Sequence, residues 1–84
     1  MDSSLLLVMM LKELRKRAKL SQERLAVLAG LSVETIRAVE QGRWGLKLES
    51  AAKLAEALSK YLPESPSQIL GLLAGIDTEQ EATR

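Results

Sequence analysis

The side chains of this 84-residue chain that could do chemistry are mostly charged, and the positive ones concentrate before residue 48. Lys12, Lys16, Arg17 and Lys19 crowd one short run in which Glu13 is the sole acid. Further on, Glu34, Arg37, Ala38 and Gln41 recur at three and four residues, so a helix would carry them on one side, opposite Ile36 and Val39. A positive cluster of this kind is either a phosphate-binding surface or a solvated face. Residues 1–47 carry nine basic and five acidic side chains, a net of +4, while 48–84 carry three and six, a net of −3. The formal charge of +1 therefore conceals a basic half and an acidic half.

The residue types that are missing narrow the chemistry further. There is no histidine, the commonest general base and metal ligand, and no cysteine for a disulfide or a thiolate site. Enzyme activity, a metal centre and a cofactor are accordingly not expected. Trp44 and Tyr61 are the only aromatic residues, which leaves no stacking platform for single-stranded nucleic acid. Duplex binding stays open. The apolar run Leu5–Leu11 is too short to span a bilayer, and Asp2 stands where a signal peptide would be positive, so the expected location is the cytoplasm.

The elements that would position these groups are short helices in a single domain. Leu7, Leu11, Leu14 and Ala18 form the buried stripe of a first helix. Leu5 and Met9 fall off that stripe, as a loosely packed terminus or as a contact with a second subunit. Ser21 is placed to cap a second helix carrying Leu25, Leu28 and Ala29, and Gly30 is placed to end it in the left-handed conformation. Ser32 can cap a third helix at once, so the turn between the two is very short.

A fourth helix is expected to bury Leu48, Ala51, Ala52, Ala55, Leu58 and Leu62 before Pro63. Ser65-Pro66-Ser67-Gln68 is a helix start with a capping box, and Ile69, Leu72, Leu73 and Ile76 follow at helical spacing. This fifth helix is more apolar than closure of a small bundle requires, which points to core closure combined with dimerisation. Residues 77–84 read as a polar tail after a domain of residues 1–76.

Leu14-Arg15, Leu20-Ser21-Gln22, Leu25-Ala26, Ala29-Gly30, Ser32, Ile36, Glu40-Gln41-Gly42 and Leu54-Ala55 together resemble the Cro/CI-type (XRE-family) DNA-binding domain over about residues 7–74. The resemblance implies an all-α, five-helix, lambda-repressor-like fold whose helix-turn-helix presents its second helix to the major groove. It implies that Arg15 pairs with Glu40, tying the first helix to the end of the recognition helix. Gln22 would touch phosphate and steady that helix, and Ser32 would cap it. Val33, Glu34 and Ala38 would face bases, Arg37, Gln41 and Arg43 would reach backbone oxygens, and Thr35 could do either. Arg17 and Lys19 are the lysine-arginine run's best phosphate candidates, since they lie nearest the second helix.

Each of these residues also has a plain structural role to weigh against the functional one. Glu34 suits a first helical turn, where the dipole favours an acid, and this role is preferred to base contact. Val33 suits a half-buried site beside Ile36. Trp44 is expected to lie over the core edge as a lid, rather than to pack its ring on backbone sugars. The loop before the fourth helix departs from the family pattern, with Leu46 where a proline is common and Lys47 where a capping serine is usual.

The function implied is a sequence-specific, double-stranded DNA-binding transcriptional regulator, acting as a homodimeric repressor through Ile69, Leu72, Leu73 and Ile76, aided by Leu5 and Met9. Methyl contacts from Val33 and Ala38 would bias readout towards thymine. The alternatives are an antitoxin or controller of a neighbouring gene, governed by a toxin or other protein partner, and a protein-interaction module that kept the fold without DNA binding.

Overall fold

The leucine stripe before Lys19 produces α1 (Ser3–Arg17), with Leu11 and Leu14 fully buried and Leu7 packed against the core edge. The computed structural model describes residues 3–73, with side chains from Leu6 onward; the Leu5 side chain, Ile76 and the tail 77–84 lie outside the described residues. After α1 come α2 (Gln22–Ala29), α3 (Val33–Glu40), α4 (Leu48–Ser59) and the helical residues 66–73, here α5. No strand occurs among the described residues.

Helix ends are set by local hydrogen bonds. Ser21 Oγ accepts the Arg24 N–H at 3.0 Å, and Ser32 Oγ accepts the Thr35 N–H at 3.2 Å, so α2 and α3 each begin on a serine cap. Gly30 takes φ 70°, its N–H reaching the Val27 carbonyl while Leu31 N–H reaches Ala26. The same double closure follows α3, where Gly42 has φ 77°. It also ends α1, but with Lys19 at φ 60°, a left-handed position that an L side chain occupies at a cost. The capping box of α5 forms as its sequence suggests. Ser65 N–H donates to Gln68 Oε1 at 2.8 Å, and Gln68 N–H donates to Ser65 Oγ at 3.2 Å.

The core lies where α1, α2, α3 and α4 converge: Leu11, Leu14, Leu25, Ile36, Val39, Leu54 and Leu58 are almost wholly removed from water, joined by Ile69 from α5. α2 packs on both α3 and α4, which fixes the angle at which α3 leaves the turn. Two sequence expectations change here. In α4 the buried positions are Ala51, Leu54, Ala55, Ala57 and Leu58, whereas Leu48 is 67% exposed and Ala52 is exposed. The stripe is rotated towards Leu54 and Ala57 relative to that expectation. In α5, Ile69 and Leu73 are buried within the monomer, so they close the core and are not free for a partner; Leu72 is exposed, the one described member of that set to face outward.

Candidate nucleic-acid interface

The candidate interface is the face of α3 left uncovered when Ile36 and Val39 enter the core. Glu34 and Gln41 are exposed on it, Thr35, Arg37 and Val33 are half-buried, and Arg43 follows immediately after the helix. Ser32 both caps the helix and hydrogen-bonds its hydroxyl to Thr35 Oγ1 at 2.8 Å, which engages both hydroxyls in the first turn.

The helix is anchored at its far end by a buried charge. Arg15 Nε donates to Glu40 Oε2 at 2.7 Å, and Arg15 Nη2 donates to Glu40 Oε1 at 3.0 Å, a two-pronged pair in which the Glu40 side chain is only 1% exposed. Gln22 Nε2 donates to the same Oε1 at 3.0 Å, and Arg15 Nη1 donates to the Leu20 carbonyl at 2.9 Å. The planar guanidinium matches the carboxylate geometry, and every buried side-chain polar atom among the described residues has a partner. Three elements thus meet on Glu40: α1, the start of α2 and the end of α3. Gln22 is thereby drawn into steadying α3, with only the rest of its amide left to face outward.

The remaining cations of the predicted site are mostly occupied. Arg37 Nη2 donates to Glu23 Oε2 at 2.8 Å, across from α2. Arg43 Nη2 donates to Glu34 Oε2 at 2.8 Å, and its Nε donates to Gln41 Oε1 at 2.8 Å. Arg17 turns away altogether: its Nη2 donates to both carboxylate oxygens of Glu64, at 3.0 and 2.9 Å, in the segment between α4 and α5. That hydrogen bond holds the Glu64 carboxyl below its ordinary pKa, and the pair ties the end of α1 to the segment before α5. Lys19 is exposed and makes no ion pair among the described residues.

Ala38 is the clearest correction. It is 0% exposed, and its carbonyl accepts from the Arg43 N–H at 2.9 Å and the Trp44 N–H at 3.3 Å. Its methyl cannot meet a base, and Val33 is the one apolar side chain left on that face. Trp44 is the second. It is 48% exposed and joins Thr35, Arg43, Gly45, Leu46, Lys47 and Ser50 around a groove of about 750 Å3, while Leu46, not Trp44, packs against the core edge. The lid is therefore Leu46. α4 begins beside this groove without a side-chain cap, as Lys47 at its start predicts.

Sequence reasoning missed the pairs Glu23–Arg37, Glu34–Arg43 and Arg17–Glu64. Their separations of 14, 9 and 47 residues match no helical repeat, so no periodic signal could have found them. Among the described residues no group of histidine, cysteine or carboxylate side chains could hold a metal, and no helix is long and apolar enough to cross a membrane.

A family model described as a helix-turn-helix domain fits residues 6–59, which covers α1 from Leu6 onward, α2, α3 and α4, with the turn between α2 and α3. No curated protein and no solved structure matches the chain.

Proposed function

The chain belongs to the helix-turn-helix domain family, and from that premise we propose that it is a sequence-specific, double-stranded DNA-binding transcriptional regulator of the cytoplasm that acts as a homodimeric repressor. The observation that carries the reading is α3 itself. Its inner face is core, its outer face presents Glu34, Arg37 and Gln41, and its two ends are fixed by the Ser32 cap and the Arg15–Glu40 pair. A helix held this way can enter the major groove as a rigid body while α2 crosses the backbone. Arg37, Arg43 and Lys19 then serve phosphate, and Val33 packs on a thymine methyl.

Leu6, Met9 and Leu72 are exposed and support association of two copies. A two-fold pair sets the two recognition helices about 34 Å apart, one helical turn of DNA. The test is a mobility shift on a pool of random duplexes, followed by selection. Affinity falls steeply with salt, and Arg37→Ala and Arg43→Ala each flatten the slope of log affinity against log salt by about one unit. Salt-independent binding removes the proposal. A protein-interaction module is the second reading, favoured by one observation: both arginines beside α3 are neutralised within the chain. A folded protein that ignores duplex DNA at low salt supports that reading instead.

A further inference from the structure

Arg43 bridges two residues seven positions apart on the outer face of α3. Its Nη2 holds Glu34 near the start of the helix, its Nε holds Gln41 just past the end, and both contacts are 2.8 Å. Seven residues are almost two full turns, so Glu34 and Gln41 lie in line, with the buried Ala38 between them. The guanidinium is a strap along the surface that DNA would meet. Glu23 and Arg37 make a different contact, since Glu23 belongs to α2 and lies off that line.

We propose that the Glu34–Arg43 pair couples backbone contact to base readout, so that Glu34 is a specificity-determining residue. This rests on the DNA-binding reading given above. The strap occupies two of the five Arg43 N–H groups, so a phosphate can reach the others, but the guanidinium presents its charge uncompensated only on leaving Glu34, and Glu34, once released, is a bare carboxylate facing the groove. An acceptor-only group there finds a partner in an amino group, which cytosine N4 and adenine N6 present in the major groove and guanine and thymine do not. Every base pair carries one such amino group, so the selection is for the orientation that puts cytosine or adenine on the strand within reach; there both halves of the pair exchange partners and no charge is left unmatched. At other sequences the carboxylate is stranded among phosphates, so the strap stays closed or the complex loses affinity. Both side chains are about half exposed, at 50% and 53%, and pairs of that exposure are weak enough to open on binding.

The experiment measures binding of the full chain, by fluorescence anisotropy, to a mixed-sequence duplex pool and to the duplex selected by the wild type together with its single-base-pair variants. Glu34→Gln is expected to bind the mixed pool about fivefold more tightly and to lose discrimination at one position, where the wild type prefers cytosine or adenine on the strand facing Glu34. Glu23→Gln raises affinity for all duplexes alike and leaves discrimination intact. In an Arg43→Gln background the gain from Glu34→Gln shrinks, because no pair remains to be opened. Thermal melts check that each variant is folded, which the exposure of all three side chains favours. Equal gains in the two backgrounds mean that Glu34 acts through its charge alone and overturn the coupling. Unchanged discrimination in Glu34→Gln overturns it as well. Failure of the wild type and every variant to bind duplex at low salt overturns the DNA-binding reading, and the inference with it.

Discussion

Replacing Glu40 by alanine removes a carboxylate that accepts three hydrogen bonds, two from Arg15 and one from Gln22. The Arg15 guanidinium, whose side chain is 14% exposed, is then left with the Leu20 carbonyl as its one protein partner. Breaking one side of a buried pair costs about 3–5 kcal/mol because the surviving charge is uncompensated. Arg15 keeps some water contact, which places the cost near the lower end, about 3 kcal/mol. Gln22 is half-buried and can replace its lost partner with water, so it adds little. A domain of this length is stable by about 4–13 kcal/mol, so the substitution removes a quarter or more of the total. At about 4–8 °C per kcal/mol, the melting temperature falls by at least about 12 °C.

Urea unfolding followed by circular dichroism reads the effect as a lower midpoint at unchanged slope. Glu40→Gln, which keeps the volume but puts an amide N–H against an Arg15 donor in place of one carboxylate oxygen, falls between alanine and the wild type. Arg15→Met with Glu40→Leu recovers part of the loss, since an apolar pair leaves no charge buried. A Glu40→Ala loss of no more than about 0.5 kcal/mol, the range of an ordinary surface substitution, would refute the claim that this pair anchors α3.

Lys19→Gly relieves the left-handed backbone at φ 60° and is expected to stabilise the domain by about 1 kcal/mol, which the same urea titration reads; a lower midpoint counts against it. The depressed pKa of Glu64 gives stability that is fully present above the ordinary carboxylate range and is lost as pH falls through the lowered value. Glu64→Gln therefore flattens the acid limb of a stability-against-pH curve, and an unaltered limb means that the Arg17 contact does not persist in solution. Leu73→Asp places a charge in the core and unfolds the monomer, whereas Leu72→Asp leaves the fold intact and shifts light-scattering mass from dimer to monomer. Two variants that behave alike contradict the division of α5 into an inner and an outer side.

Local features were legible in the sequence because their causes are local. A serine three residues before an N–H, a glycine after the last apolar repeat and the Ser65-Gln68 box each act within one helical turn, and all formed as expected. The stripe of α1 was legible for the same reason. The Arg15–Glu40 pair spans 25 residues and was expected only through resemblance to a family, since no repeat links the two positions.

What only the tertiary structure decided is which side chains remain available. Periodicity assigns a face to a residue but does not say what lies over that face. Ala38 has the helical phase of Glu34 and Gln41 and is nevertheless sealed, with none of its surface exposed. Leu48 has the phase of a core residue and is exposed, whereas Leu54 and Ala57, off the expected stripe, are buried. Arg17 and Arg43 carry the same charge, yet one is bound to the segment before α5 and the other lies along α3. Long-range ion pairs depend on how helices cross, and the crossing is fixed by core packing shared among α1, α2, α3 and α4. A linear sequence specifies the groups that can pair; the packing selects the partners and thereby sets which charges are free to meet DNA.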